Sequence, residues 1–253
     1  MDLGLKGKVA VVTGGSKGIG LGISQVLAEE GANLVINYRS GPEDAEKAAR
    51  QIMDDCGVEV ITVQGDAGEQ ATVDKVFDAA MEKFGTVDIL VNNAGGGIKQ
   101  GAFETLTDEQ WFKTQQNSVG GQFLMCRKYV DYWKGLGRGG HIVNVVAKCC
   151  IISNSINNQA YTSAKGALLA LTRSLANEVT PYGIYVNGIN PGYVTTERVH
   201  TVGSERYLQK LPLLPTGKFA TPRDMGNVVA FLCSPLAKQI IGTVIDCTGG
   251  TLL

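Results

Sequence analysis

Short apolar runs alternate along this chain with stretches whose apolar residues recur at helix spacing. Residues 9–12, Val-Ala-Val-Val, form a continuous apolar run of strand length, and the next apolar positions are Ile19, Ile23, Val26 and Leu27 at helical spacing. Further strands are predicted at 34–37, 58–63, 87–91, 139–146, 184–189 and 240–246. Between them fall a charged helix at about 42–55 and an amphipathic helix built on Val73, Val76, Phe77, Ala80, Met81 and Phe84. A long helix at about 107–134, a helix carrying Tyr161 to Lys165 and a last helix at 222–232 complete the set. Residues 194–220 have little continuous pattern, contain Pro212 and Pro215, and offer only a short helix at 204–210. The strands are rich in Val, Ile and Leu without strict alternation, which suits a parallel sheet covered on both faces. The rhythm predicts an α/β fold, a doubly wound parallel sheet of about seven strands with right-handed crossovers. No linker long enough to separate domains is visible, so residues 1–253 read as one domain.

Composition narrows this picture. A chain of 253 residues, 44% hydrophobic, supports one large α/β domain with a well-buried core. The net charge of −1 gives no broad footprint for nucleic acid or a membrane surface. No apolar run approaches about 18 residues, and the first residues lack a signal-peptide core, so a cytoplasmic protein is expected. Six cysteines, among them the vicinal pair Cys149-Cys150, read as reduced thiols. The only histidines, His141 and His200, stand far apart, and no metal site is expected.

The first candidate chemistry lies where the first strand meets the first helix, at Thr13-Gly14-Gly15-Ser16-Lys17-Gly18-Ile19-Gly20. Glycines there let the chain turn tightly and let a pyrophosphate approach the backbone, while the helix N-terminus offers unpaired N–H groups and partial positive charge. This strand–turn–helix order reads as a Rossmann-type dinucleotide site. At the end of the second strand an acidic residue would bind the ribose hydroxyls of NAD, but the sequence is Asn37-Tyr38-Arg39-Ser40. Arg39 and Lys17 can instead pair with a 2′-phosphate, so NADP(H) is the expected cofactor. The competing reading makes both of them solvated surface charges.

Four motifs stand in order: Thr13-Gly14-x-x-x-Gly18-x-Gly20, Asn92-Asn93-Ala94-Gly95, Tyr161-x-x-x-Lys165 and Pro191-Gly192. Together they resemble the classical short-chain dehydrogenase/reductase family, in its 3-oxoacyl-carrier-protein-reductase-like branch, over essentially the whole chain. The resemblance implies a homotetramer or dimer formed through the helices near 107–134 and 159–180 and the last helix and strand. It implies that Asp66, with Ala67 assisting, meets the adenine, although an Asp in this setting is also an ordinary turn or cap residue. It places Asn93, Ala94 and Gly95 near the adenosine ribose. It places Pro191, Gly192, Val194 and Thr196, with Thr195 as neighbouring candidate, at the nicotinamide amide and pyrophosphate, and makes residues 193–219 a substrate lid.

Tyr161 and Lys165 are four residues apart and share a helix face. An ammonium beside a phenol, with the positive ring of an oxidised nicotinamide, favours the phenolate, so Tyr161 can exchange a proton with a substrate oxygen. By resemblance Lys165 also holds the nicotinamide ribose, and Asn117 supports a water-linked proton relay. The family carries a serine about thirteen residues before the tyrosine. Here that count falls on Lys148, and alignment from Asn144 falls on Ala147. Losing one donor to a developing oxyanion typically costs about 10²–10³ in rate. Lys148, or Ser153, Ser155, Asn157 or Asn158, can substitute, whereas the Cys149 thiol is a weak donor. The leading expectation is an NADPH-dependent carbonyl reductase, or the reverse alcohol dehydrogenase, of a specialised biosynthetic pathway. The alternatives are chemistry at C=C or C=N, a non-redox reaction, or a non-catalytic NADP-binding subunit.

Overall fold

A computed structural model describes residues 1–96, 101–152, 156–197 and 201–252. Its seven strands are β1 Val9–Thr13, β2 Asn33–Tyr38, β3 Val60–Gln64, β4 Ile89–Asn92, β5 Gly140–Val145, β6 Ile184–Pro191 and β7 Val244–Cys247. They form one sheet in the order β3-β2-β1-β4-β5-β6-β7, every adjacent pair parallel. The helices are α1 Gly18–Glu29, α2 Pro42–Cys56, α3 Gln70–Phe84, α4 Asp108–Gln115, α5 Gly121–Gly135, α6 Gln159–Val179, α7 Glu205–Lys210 and α8 Pro222–Leu232. This is the doubly wound, Rossmann-type sheet that the sequence rhythm predicts. Strand order reverses direction between β1 and β4, and the crevice beyond the carboxyl ends there is where such sheets bind ligands.

Period-two geometry explains why β1 is apolar from Val9 to Val12. Ala10 and Val12 join Ile23, Leu27, Ile52 and Val229 in a core on one face, and Val9 and Val11 join Val73, Val76, Met125 and Tyr129 on the other. Trp133 is fully buried in the second core, and its indole N–H donates to the Val87 carbonyl at 2.8 Å. At the amino ends of the strands, Asp88 accepts from the Val9 amide at 2.9 Å and from Arg138 at 3.0 Å, fastening β1 beside β4. Among the described residues no helix is long and apolar enough to cross a membrane.

Two elements differ from the sequence reading. The helix expected at 107–134 is α4 and α5 joined by a π-helical turn, Gln116–Gly120. There the helix passes so close to the loop after β3 that a Cβ on Gly121 would lie 2.5 Å from the Ala67 carbonyl oxygen. The last strand starts at Val244, not at 240. Gly242 turns with φ +63° and donates its N–H to Val186 before the strand begins.

Candidate active site

The glycine-rich turn is held open by its neighbours. The Asn93 side-chain amide donates to the Thr13 and Gly14 carbonyls at 2.9 and 3.1 Å, and Thr13 Oγ1 accepts from the Asn93 and Ala94 amides. Gly14 and Gly18 have φ of +62° and +52°. A Cβ on Gly20 would stand 2.1 Å from the Gly14 oxygen and 2.5 Å from Asn93 Nδ2, so a glycine is needed there. Ser16 is buried and Ile19 half-buried beside the turn. No side chain among the described residues caps the start of α1, whose N–H groups stay available to an anion. Thr196 comes from the end of β6 to the same place, its Cγ2 3.5 Å from the Cβ position of Gly18.

Charge gathers at the end of β2. Arg39 lies 3.5 Å from Asp66, and Lys17 reaches 2.8 Å from Asp44. The Lys17 ammonium holds the Asp44 carboxyl below the usual carboxylate range. Lys17 Nζ also stands 2.7 Å from the Cβ position of Gly41, so its ammonium overlies the turn directly after Arg39 and Ser40. Exposed pairs of this kind are weak and exchange readily for a stronger anion. Asp66 has the turn role as well as the ion pair, since its Oδ1 accepts from the Gly68 amide two residues on at 3.0 Å, while no side chain among the described residues caps α3. Ala67 follows it, half-buried, against Gly121.

Tyr161 and Lys165 occupy one face of α6, with Lys165 Nζ 5.8 Å from the Tyr161 ring centroid. Lys165 is 2% exposed, donates to the Val145 carbonyl at 2.7 Å, and burial brings its pKa down to about 8. Burial pushes the Tyr161 phenol above its ordinary value. The lowering expected from Lys165 is therefore not delivered by the protein alone, because desolvation dominates at this phenol. A Cβ on Gly95 would meet Lys165 Nζ and Gln122 Nε2 at 3.4 Å and the Asn117 carbonyl oxygen at 3.5 Å. The Asn117 backbone oxygen and Lys165 Nζ thus both lie beside Gly95, while the Asn117 side-chain oxygen lies near Gly68. Buried amides join α6 to the sheet: Asn92 donates to Asn144 at 2.9 Å and Asn144 to Thr172 at 2.9 Å.

After β5 the chain runs through Ala147 into a 3₁₀ turn, Lys148–Cys150. Lys148 Nζ lies 3.8 Å from the Tyr193 ring centroid. Cys149 is buried, its sulfur hydrogen-bonded by Thr162, and burial raises both thiols. Asn157 is exposed with φ +58°, and Asn158 is half-buried before α6. Ser153, Ser155 and His200 lie outside the described residues.

Beyond β6, Pro191 is buried and Gly192 rests on Thr248, where a Cβ would approach to 2.6 Å. Val194 is buried and bridges to Ala220, and the Thr195 amide donates to the Ala220 carbonyl at 2.8 Å. The short helix expected at 204–210 is α7, capped by Ser204. Sequence reasoning passed over Gln122, and gave Thr13 a place in the glycine-rich motif but no role. Each carried a signal: a polar residue ending an apolar strand, and a polar residue in helical register with Met125, Cys126 and Tyr129.

A family model described as Enoyl-(Acyl carrier protein) reductase matches residues 14–251. The NADP-dependent (R)-specific alcohol dehydrogenase of Lentilactobacillus kefiri is 35% identical over 250 residues, covering 97% of each chain. L-Sorbose reductase from Gluconobacter frateurii, solved with NADPH and L-sorbose, matches at TM-score 0.92 and 32% identity, over 100% of this chain and 99% of that one. The 3-ketoacyl-(acyl-carrier-protein) reductase of Brucella melitensis, solved with NADH, matches at TM-score 0.88 and 34% identity, over 98% of this chain and 100% of that one.

Proposed function

The chain belongs to the short-chain dehydrogenase/reductase family, and on that premise we propose that it is an NADP(H)-dependent oxidoreductase acting on a carbonyl or the corresponding alcohol. One observation carries the reading: a fully buried ammonium, Lys165, lies beside the Tyr161 phenol, a site that neither packing nor stability would select. The cofactor reading is supported by the close backbone approach at Gly20 that shapes the turn, the uncapped start of α1 and the position of Thr196. Choice of NADP(H) over NAD(H) is supported by Arg39 and Lys17 over a β2 end that has no carboxylate at residues 37–40. The relative solved with NADH shows that both cofactors occur among similar proteins.

When bound, the nicotinamide supplies or accepts the hydride. The protein supplies the proton. Tyr161 gives its phenolic proton to the substrate oxygen as the carbonyl carbon is reduced, and the Lys165 charge stabilises the phenolate left behind. The Asn117 carbonyl, near Lys165 across Gly95, accepts a hydrogen bond on the path that returns a proton to Tyr161. In the oxidising direction the same groups run in reverse. We further read the site as lacking the family serine, because the residues at the two candidate positions are Ala147 and Lys148. That feature supports a specialised biosynthetic substrate.

NADPH oxidation against ketones, oxoacyl thioesters, imines and enones tests the reading. Ketone reduction is expected, with Tyr161→Phe losing about 10²-fold or more. Full activity in that variant would overturn the role of Tyr161. The missing hydroxyl favours a second reading, reduction of C=C or C=N, which predicts turnover of the enone or imine alone.

A further inference from the structure

Lys148 is the first residue of the turn that leaves β5. Its ammonium is laid on Tyr193, Tyr193 packs on Phe219 at 5.7 Å, and Phe219 stacks on Tyr207 of α7 at 4.3 Å. A cation seated on the first ring of an aromatic row has its long stem pinned, while the ammonium keeps its N–H donors. Other lysines of this chain are neutralised: Lys17, Lys83 and Lys128 each pair with a carboxylate at 2.8 or 2.9 Å. Among the described residues no carboxylate pairs with Lys148, although it is half-buried. Lys148 precedes Cys149, whose sulfur is bonded by Thr162 of α6, the helix that carries Tyr161 and Lys165. The segment 193–219 adds Arg198, Arg206, Lys210 and Lys218 against Glu197 and Glu205, in a chain whose net charge is −1.

We propose that Lys148, seated on Tyr193, receives an anionic group of the substrate, a carboxylate or a phosphate, and so selects carbonyl compounds that carry negative charge away from the reacting carbon. In this account the lysine is a specificity residue and does not hold the reacting oxygen. The proposal rests on the carbonyl-reductase reading for turnover but not for binding.

The test uses a homologous series of oxo acids, their methyl esters and ketoalkyl phosphates of the same lengths. Rates are followed by NADPH oxidation, and binding of the corresponding hydroxy compounds to the protein–NADP⁺ complex is followed by calorimetry. At low salt, anions of one length should be preferred over esters by about tenfold or more in kcat/KM. The better of the carboxylate and phosphate arms identifies the group. In Lys148→Met the ratio should fall to about one, through KM for the anion, and Lys148→Arg should restore most of it. Tyr193→Leu, which removes the seat, should move the ratio in the same direction. Esters reduced as well as anions by the wild type, or a preference kept in Lys148→Met, would overturn the proposal and leave the reductase reading intact. Anion binding that requires Lys148 without reduction of any member would support the proposal and sink the reductase reading. Neither binding nor reduction would sink both.

Discussion

At the scale of single residues, the site is defined by what is buried against its own preference. Lys165 is charged at neutral pH yet 2% exposed, with its pKa brought down to about 8 from an ordinary 10.5. Below pH 8 folded and unfolded chains both hold the proton, and the folded chain bears the full cost of a buried charge. Between pH 8 and 10.5 the unfolded chain binds more protons, so stability rises with pH through that window. Lys165→Met is therefore expected to stabilise the ligand-free protein at pH 7, by roughly 3 kcal/mol at most, while abolishing turnover. Thermal melts from pH 7 to 10.5 check this, and the variant's advantage must shrink as pH rises. An advantage independent of pH would mean that the charge of Lys165 is not what strains the fold.

At the scale of elements, two glycine contacts separate binding from packing. A Cβ on Gly20 would strike the Gly14 carbonyl, whereas a Cβ on Gly226 of α8 would stand 2.6 Å from the Gly22 oxygen of α1. Gly20→Ala is expected to weaken NADPH binding by about tenfold or more by distorting the phosphate turn. Gly226→Ala is expected to cost about 1–3 kcal/mol of stability by forcing α1 and α8 apart, with cofactor affinity changed little. Fluorescence titration and thermal melts on both variants separate the two effects. The strand–turn–helix unit and the Tyr161–Lys165 pair were legible because each is local: a run, a spacing and a turn. The last helix was legible for the same reason, since Thr221-Pro222-x-Asp224 is a start signal and forms the observed capping box. The π-helical turn at Gln116–Gly120 was not legible, because its residues continue the helical pattern and the close approach to Ala67 beside it is a tertiary contact. Nor was the seat of Lys148 on Tyr193, which joins the ends of β5 and β6 across more than forty residues of chain.

At the scale of the whole molecule, the two ends of the sheet do different work. The carboxyl ends carry the site, and the amino ends carry the Asp88 network and, at the start of β5, His141. His141 stacks on Tyr185 at 5.2 Å, bonds the Leu232 carbonyl, and burial lowers its pKa to about 4. Between pH 6.5 and 4 the unfolded chain takes up a proton that the folded chain refuses, so this histidine removes stability as pH falls, on the order of 3 kcal/mol in all. His141→Phe is expected to lose that part of the acid sensitivity, measured as the difference between the urea midpoints of the two proteins at pH 7 and pH 4.5. Parallel curves would assign acid unfolding to other groups.

The pairing of Val194 with Ala220, closed by the Thr195 and Ala220 amides, has a consequence for how such a protein can change over generations. The chain leaves the frame after β6 and rejoins it before α8 at one spot, so everything between is a loop tied at its own base. The entropy of closing such a loop depends only weakly on its length. Residues there can be lengthened, shortened or rewritten while the sheet, the phosphate turn and the Tyr161–Lys165 pair stay in register. Sequence change can be tried at that one knot without renegotiating the fold.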